Sequence, residues 1–305
     1  MIFFTKGLIM KNKTRVLVLY YSYSDKTKIL LDMFLEPLRN LESVDVFYEK
    51  IELINPVPKP WPFLDFFGAF PEIVHEVPQG IIEPTIELDS KYDLIIYGHQ
   101  VWFLSPSIPT TSFFNHKKSA VFKDTPVITF MFARKMWHQA QGRVDEFIEK
   151  SGGKIIDRVV ITAKGSQMKT FMDTRYNLLN RTDENKRSWK AGEEAIEVMI
   201  AQGQQLANSI NCIDDSQGFP LFTRPSIAFN NEMFVGPERV QKKSFLRWGR
   251  FMIKYSRKGS NLRKFIAFIF AFQFISRIIL ILPFWPVMYK IKTGIFRSPA
   301  RHEIV

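Results

Sequence analysis

The amino-acid sequence predicts an α/β protein built on a doubly wound parallel sheet of five strands. Up to about residue 210, apolar runs of strand length alternate with segments that repeat apolar residues at helical spacing. Strands that are buried on both faces of a parallel sheet have such continuous apolar runs, and helical crossovers connect them. The composition, 46% apolar and 24% charged, is that of a globular protein.

Five apolar runs have the composition of buried strands. They lie at residues 15–21, 44–54, 92–98, 126–132 and 154–162. Apolar residues at helical spacing predict helices at residues 26–41, 108–121 and 191–210. A further helix is predicted after the fourth strand and ends at about Lys150. Residues 163–190 are polar and have no regular pattern.

A segment rich in proline and aromatic residues, about residues 55–90, interrupts this alternation. Five prolines between Pro56 and Pro71 exclude a regular helix or a central strand there. Because linkers rarely contain so many Phe and Trp residues, we interpret this insertion as a lid or pocket wall over a ligand site. The alternative is a structural flap whose aromatic side chains pack on the core.

The first strand is followed by a turn that is rich in hydroxyl groups. This first loop, residues 22–27, contains Ser22, Ser24 and Thr27, and the first helix begins at Lys26. Backbone N–H groups and the positive end of the helix dipole favour an anion at such a turn, and the hydroxyl groups are further donors. The first loop is therefore a candidate phosphate site. The alternative is an ordinary connection in which Ser or Thr is the N-cap of the helix.

Two further loops carry side chains suited to a planar ligand. The Trp102 loop, residues 100–105, follows the third strand, and the Arg134 loop, residues 133–137, follows the fourth. Aromatic side chains such as Trp102 and Phe103 stack on planar rings. In a parallel sheet all three loops lie at one edge, and doubly wound sheets bind their ligands at this carboxyl edge.

These features resemble the flavodoxin family over residues 15–210, apart from the insertion. The first-loop pattern of that family is a hydroxyl, any residue, a hydroxyl, Gly, any residue and Thr, and SYSDKT matches it except for Asp25 in place of Gly. Asp tolerates a positive φ better than most residues, so the backbone path is feasible. The resemblance implies that FMN is bound by the following residues: Ser22, Tyr23, Ser24, Lys26, Thr27, Gln100, Val101, Trp102, Phe103, Leu104, Ser105, Arg134, Met136 and Trp137.

The same resemblance implies roles for some of these residues. Trp102 would stack on the isoalloxazine ring, and Arg134 would place its guanidinium near N1 and O2 of the flavin, where negative charge develops on reduction. His99 and His138 are candidate proton donors because imidazole titrates near neutral pH. The candidate catalytic residues are therefore His99, Arg134 and His138.

Longer segments give a narrower resemblance. YYS, WPFLDFFGAFPE, WFLSPSIPTTSF and RKMWHQAQ are together similar to the flavodoxin-like aromatase of bacterial dialkylresorcinol biosynthesis, the so-called dialkylresorcinol condensing enzyme. The resemblance implies an FMN-dependent oxidoreductase that oxidises, and so aromatises, a dialkylcyclohexane-1,3-dione to a dialkylresorcinol for flexirubin-type pigments and aryl lipids. It also implies two protein partners, a ketosynthase that makes the dione and an acyl carrier protein.

Aromatisation needs a hydride acceptor, a base and an apolar pocket for the alkyl chains, and residues 61–70 are suited to line that pocket. Two other functions remain open. One is an NAD(P)H-dependent reductase of quinones or azo dyes on the same fold. The other is a degenerate flavodoxin-like scaffold that lost FMN through Asp25 and recruits a ketosynthase to the membrane.

The positive charge of the chain is concentrated at its C-terminal end. The formal net charge is +12, and residues 238–305 contribute +13, from 15 Lys and Arg residues against Glu238 and Glu303. Because residues 1–237 carry a net charge of −1, the sequence predicts no nucleic-acid partner. The single cysteine, Cys212, cannot form an internal disulfide and suits a reducing cytoplasm.

The basic C-terminal region also contains a long apolar run. Residues 239–258 combine an apolar helical face with many cations, as do helices that lie on an anionic membrane. Residues 265–282 are apolar except for three polar side chains, including Arg277, and are near the lower length limit for a membrane span. Pro283 and Pro286 follow, and cations flank both sides, so a re-entrant or interfacial hairpin is favoured over a single span. A helical hairpin buried on the enzyme body is the alternative.

These observations divide the chain into an N-terminal extension (1–14), a flavodoxin-like domain (15–210), a linker (211–238) and a helical, basic, membrane-associating C-terminal region (239–305). We expect a cytoplasmic protein that is attached peripherally or monotopically to the inner membrane. The partner of residues 239–297 would be the anionic membrane surface.

Overall fold

The computed structural model describes residues 13–88, 91–174, 190–210, 213, 220–223 and 234–281. Several features named above lie outside the described residues. They are the N-terminal extension up to residue 12, most of the irregular segment, most of the predicted linker, Cys212, and the C-terminal residues that include Pro283 and Pro286.

Five strands form one parallel sheet at the centre of the molecule. They are β1 (Thr14–Tyr20), β2 (Val44–Lys50), β3 (Leu94–His99), β4 (Pro126–Ala133) and β5 (Lys154–Thr162). The order across the sheet is β2-β1-β3-β4-β5, and every neighbouring pair is parallel. This is the order of the flavodoxin-like doubly wound sheet, with its switch point between β1 and β3. The fold is flavodoxin-like, as predicted.

Helices cover both faces of the sheet, and further helices lie in the insertion and in the C-terminal region. In the described residues they are α1 (Lys26–Arg39), α2 (Phe63–Gly68), α3 (Phe70–Val74), α4 (Ile108–Phe114), α5 (His138–Lys150), α6 (Gln167–Met172), α7 (Glu193–Ser209), α8 (Val235–Tyr255) and α9 (Asn261–Ile281). Because side chains alternate along a strand, Val16 and Val18 pack on the side of α1 and α7, whereas Leu17 and Leu19 pack on the side of α4 and α5. The apolar run that predicted β1 thus supplies both halves of the core.

Two predicted elements extend well beyond the observed ones. β2 ends at Lys50 rather than at residue 54, because the chain then pairs with the insertion, where Ile82 donates its N–H to the carbonyl of Glu52 at 2.8 Å. The helix predicted over residues 108–121 ends at Phe114, and a separate 3₁₀ helix covers Lys117–Phe122. The His116 side chain accepts a hydrogen bond from the N–H of Lys118 at 3.3 Å and so begins this new helix.

The insertion is packed onto the body of the protein. Trp61, Phe67 and Phe70 are buried. The Trp61 ring centroid lies 5.9 Å from that of Tyr23 in the first loop and 5.2 Å from that of Trp102. These aromatic side chains therefore belong to the core, as in the structural-flap interpretation, and the insertion covers the carboxyl edge of the sheet beside the first loop.

The helices α8 and α9, here called the C-terminal helix pair, pack with their inner faces on the insertion. The rings of Phe70 and Phe270 lie 4.1 Å apart, and the buried Arg263 donates to the carboxylate of Glu72 at 3.0 Å. This agrees with the alternative of a helical hairpin buried on the body of the protein. α8 also begins at Val235, within the segment predicted to be a linker. None of the helices in the described part of the chain has the length and apolarity needed to cross a membrane.

Candidate functional site

The first loop connects β1 to α1 at the carboxyl edge of the sheet. Asp25 has a left-handed backbone, with φ 56° and ψ −8°, a conformation that favours glycine. The expectation that an aspartate can adopt this path is confirmed. Ser22 is only 2% exposed, and its Oγ has no hydrogen-bond partner among the described residues. Since an unpartnered buried hydroxyl is costly, this atom is suited to an oxygen of a bound ligand.

The side chain of Gln100 joins the first loop to the Trp102 loop. Its Oε1 accepts from the N–H of Tyr23 at 3.2 Å, and its Nε2 donates to Oγ1 of Thr27 at 3.2 Å. The hydroxyl of Tyr23 in turn donates to the carbonyl of Pro58 at 3.0 Å, so this ring belongs to the contact with the insertion. The structure therefore brings together two of the loops that the sequence singled out.

Lys26 in the first loop lies near a second lysine, Lys190. Burial, followed by repulsion from Lys190, lowers the pKa of Lys26 to about 8. Lys190 is held at this edge because its carbonyl accepts from the N–H of Lys164 at 2.7 Å. A bound anion would relieve the repulsion between the two ammonium groups. No sequence pattern indicated Lys190, because this residue lies at the end of a polar segment without a regular pattern.

The Trp102 loop is a short hairpin in which Val101–Trp102 pairs with Ser105–Pro106. Its two central residues, Phe103 and Leu104, both have positive φ, 49° and 58°, which is uncommon for bulky side chains. This turn separates the side chains. Trp102 lies beside the first loop, with its ring centroid 5.8 Å from that of Tyr21. Phe103 and Leu104 lie instead against the insertion and the C-terminal helix pair.

The Arg134 loop is held by other parts of the protein. Arg134 donates from Nε to Oγ1 of Thr170 at 3.4 Å, and its guanidinium lies 5.2 Å from the ring centroid of Phe171 in α6. Burial lowers the pKa of Arg134 to about 10, so it remains a cation at neutral pH. Trp137 is buried with Val101 of the Trp102 loop, and Met136 packs against the cluster formed with the C-terminal helix pair.

The two candidate histidines lie in different environments. His99 is fully buried, its Nε2 lies 3.1 Å from Oε1 of Gln141, and burial lowers its pKa to about 4. Because its imidazole is neutral and shielded from solvent, this position does not suit a proton donor to a ligand. His138 is partly exposed at the N-terminus of α5, and its ring is stacked on that of Trp137 at 4.0 Å.

Two residues of α8 connect the N-terminus of α5 to the Trp102 loop, and the sequence did not indicate either of them as a site residue. The fully buried carboxylate of Glu238 accepts from the N–H groups of His138 and Gln139 at 3.2 and 2.7 Å, and its Oε2 lies 3.2 Å from Nδ1 of His138. Lys242 donates to Oγ of Ser105. The one available signal was that Glu238 and Glu303 are the sole acids in residues 238–305.

A cavity of about 720 Å³ lies elsewhere, between α3, α4 and α5. Charged side chains such as Glu76, Lys123 and Arg143 line it together with Phe114 and Phe147. Burial of a charge against an alkyl chain is costly, so this cavity does not suit the alkyl chains of a lipid-like substrate. The first loop, by contrast, has the donors and the charges that fit a phosphate group.

No protein-family model matches the chain, and no curated protein matches it. Solved structures that are similar include a flavoprotein in complex with FMN from Lactobacillus acidophilus, with 16% identity, a TM-score of 0.39, and coverage of 48% of this chain and 93% of that one. A flavodoxin from the domain Archaea has 12% identity, a TM-score of 0.37, and coverage of 65% and 99%. A putative flavoprotein from Bacteroides eggerthii has 15% identity, a TM-score of 0.39, and coverage of 62% and 97%. At these identities and TM-scores the similarities carry no argument about function, and the strand order alone establishes the fold.

Proposed function

We propose that the chain binds FMN at the carboxyl edge of its sheet and is a flavin-dependent oxidoreductase. The observation that supports this most is the buried Oγ of Ser22, which has no partner among the described residues. It lies in a loop that contains the cation Lys26, and a second cation, Lys190, is near Lys26. A phosphate group of the ligand would accept a hydrogen bond from Ser22 and reduce the repulsion between the lysines. Ser24 and Thr27 are further donors in the same loop.

The remaining residues would bind and shield the ring of the flavin. When bound, FMN supplies the hydride acceptor for the reaction. Trp61 and Trp102, whose rings are in contact, exclude water on the side of the insertion. The charged guanidinium of Arg134, fixed by Thr170, is suited to stabilise negative charge near the ring.

The proposed reaction removes one hydride and one proton from a dialkylcyclohexane-1,3-dione and gives a dialkylresorcinol. The resemblance to the dialkylresorcinol aromatase supports it, and the segments that carry the resemblance are neighbours in space: the rings of Phe66 and Phe103 are stacked at 4.5 Å, and α5 packs against Ser105–Pro106. The partners in this proposal are a ketosynthase and an acyl carrier protein, and the place of reaction is the cytoplasmic face of the inner membrane.

A flavin-free scaffold is the second candidate, because the carboxylate of Asp25 is exposed in the first loop and would repel a phosphate. Purified full-length protein separates the two candidates. We expect a yellow preparation, or uptake of added FMN that is followed by quenching of flavin fluorescence. A colourless protein that takes up no FMN would contradict both the aromatase and any quinone-type reductase.

A pair of serine variants tests whether the hydroxyl of Ser22 contributes to FMN binding. Ser22→Ala should weaken FMN binding at least about tenfold, since a hydrogen bond to a charged group contributes about 1.5–3 kcal/mol. It should not lower the melting temperature of the flavin-free protein, because the hydroxyl has no partner to lose. Ser43→Ala, at an exposed position before β2, is the matched control and should change neither quantity. Equal FMN affinity in all three proteins would remove Ser22 from the site.

The substrate is tested separately with FMN-loaded protein. Mass spectrometry should detect conversion of a synthetic dialkylcyclohexane-1,3-dione to the resorcinol. Reduction of a quinone by NAD(P)H, with no resorcinol formed despite bound FMN, would instead identify a quinone-type reductase.

A further inference from the structure

The outer face of α9 exposes a continuous row of large apolar side chains. This outer stripe consists of Phe265, Phe268, Ile269, Phe272 and Ile279, which are between 41% and 67% exposed. Their spacing of three, four and seven residues places them on one side of the helix. The inner face of α9 is apolar as well, and it is buried against the insertion and α8. Since soluble monomers rarely expose large contiguous apolar patches, the outer stripe is a candidate interaction surface.

Cations surround the outer stripe, and accessible acids are lacking on both helices. Arg257 and Lys258 are exposed in the turn between α8 and α9, and Arg277 is exposed on one side of the stripe. On the other side lies Lys264, whose Nζ is 3.6 Å from a carboxylate oxygen of Asp65 in the insertion. Glu238 is the one acid in residues 235–281, and it is fully buried against α5. The surface thus combines apolar side chains with positive charge that the C-terminal helix pair does not neutralise itself.

We infer that the outer stripe and the cations around it form a docking surface for an anionic lipid bilayer. Amphipathic helices that lie in a membrane interface have this combination of aromatic and aliphatic side chains with Lys and Arg. The inference does not depend on flavin binding, because the outer stripe faces away from the side of α9 that packs on the insertion.

Charge distinguishes lipid from the two other occupants of this surface. A second copy of the chain would bring the same cations face to face, and like charges repel. Residues 282–305 contain Lys290, Lys292, Arg297 and Arg301 against Glu303, so this segment is also cationic. Anionic lipid headgroups complement the cations, and the acyl chains accept the apolar stripe.

The packing of α9 also sets how it meets the bilayer. Arg263 on its inner face is buried and is bonded to Glu72, Gly68 and Ser256. Because this face remains on the protein, α9 enters the interface by its outer stripe only and lies parallel to the membrane plane. Membrane association of this kind is peripheral and reversible.

Binding of the full-length protein to vesicles tests the inference. We expect the protein to float with vesicles of phosphatidylglycerol and phosphatidylcholine and to float less with phosphatidylcholine alone. The variant Phe265→Gln/Phe268→Gln/Phe272→Gln should bind vesicles at least about tenfold more weakly, because it lacks three aromatic rings that would be buried in the bilayer interface. The matched control is Ile29→Gln/Ile54→Gln/Ile82→Gln, which changes three apolar residues of similar exposure elsewhere and should bind as the wild type does.

A probe at single positions keeps the test independent of the stability of the triple variant. In a Cys212→Ser background, an environment-sensitive fluorophore on Phe272→Cys should shift to the blue when anionic vesicles are added. The same probe on Ile82→Cys should not shift. Equal responses at the two positions, or equal flotation of the triple variant and the wild type, would overturn the inference. It would also be overturned by wild-type protein that ignores vesicles and forms dimers that the triple variant does not form.

Discussion

Asp25 is the residue at which backbone conformation and charge oppose each other. A left-handed backbone costs an ordinary L residue about 1–2 kcal/mol, and aspartate tolerates it better than most. Its carboxylate is exposed in a loop that otherwise presents hydroxyl groups and lysines. Since a phosphate is repelled by this carboxylate, the residue limits the proposed affinity for FMN rather than the fold of the loop.

Two substitutions separate the backbone effect from the charge effect. Asp25→Gly should stabilise the protein by up to about 1 kcal/mol, because glycine adopts a positive φ without steric cost. Asp25→Asn removes only the charge and should leave the free energy of unfolding almost unchanged. Both should bind FMN more tightly than the wild type, as measured by fluorescence titration. If Asp25→Gly binds more weakly, the carboxylate has a binding role of its own.

Lys242 contributes a pH dependence whose sign follows from its burial. Burial lowers its pKa from 10.5 to about 8 in the folded protein. Between these values the unfolded chain binds more protons than the folded one, so the free energy of unfolding rises as the pH increases from about 8 to about 10.5. Below pH 8 the amine of Lys242 is protonated in both the folded and the unfolded chain, so the folded protein bears the full cost of the buried cation.

Lys242→Met should therefore stabilise the protein at pH 7 and should remove part of this rise. The hydroxyl of Ser105 keeps a partner in the variant, because it also donates to the carbonyl of Phe103 at 3.3 Å. Urea unfolding of both proteins at several pH values measures the difference. Lys26, whose pKa is lowered in the same direction, is present in both and cancels. Parallel pH profiles would contradict the assignment to Lys242.

At the scale of elements, the strands could be predicted from their side-chain patterns, which are continuous apolar runs in β1 and β3 and an alternation of apolar and polar residues in β2. The predictions failed at the ends of elements, because residues far away in the sequence determine where those elements end. β2 stops at Lys50, and the residues that follow it, 52–54, pair with residues 80–82 of the insertion. The local alternation of side chains contains no information about this distant pairing. The Trp102 loop was located correctly. The positive φ angles of Phe103 and Leu104, which turn these residues away from Trp102, could not be predicted because bulky residues rarely adopt them.

The close approach of α8 to α3 is an element-scale feature that a pair of glycine variants tests. A Cβ atom on Gly249 would lie 2.7 Å from Cγ2 of Val74 and 2.9 Å from Cδ2 of His75. Gly249→Ala should therefore destabilise the protein by about 1–3 kcal/mol, as overpacking does. Gly236→Ala, which has nothing within 4 Å in the first turn of the same helix, should be neutral or stabilise by up to about 1 kcal/mol. Equal melting temperatures for the two variants would show that α8 can move away from α3 without cost.

At the scale of the whole molecule, the sequence predicted the fold class and the edge of the sheet that holds the candidate site. Both depend on patterns within short segments, such as the apolar run of β1 and the hydroxyl groups that follow it. The sequence did not predict that α8 joins the Trp102 loop to the N-terminus of α5, which directly follows the Arg134 loop. Glu238 reaches His138 across 100 residues, and a basic amphipathic pattern is compatible equally with packing on protein and with binding to lipid.

The C-terminal helix pair is therefore expected to stabilise the body of the protein. A chain that ends at residue 236 would expose Phe67, Phe70 and Leu104 and would leave the N-terminus of α5 without Glu238. We expect a loss of several kcal/mol in stability, since a buried large side chain contributes about 1.5–3 kcal/mol. Thermal unfolding and binding of the dye ANS measure this loss. A chain that ends at residue 281 keeps both helices and is the control. Equal stability of the two truncated chains would contradict the prediction.

The ion pair between Arg263 and Glu72 joins residues that are 191 positions apart in the chain. During synthesis at about 5–20 residues per second, Arg263 follows Glu72 after roughly 10–40 seconds. For most of that interval the aromatic residues of the insertion have been synthesised, and the helices that cover them have not. We therefore expect the nascent chain to expose the aromatic surface of the insertion for most of its translation. During this time, association with chaperones or with other nascent chains competes with folding.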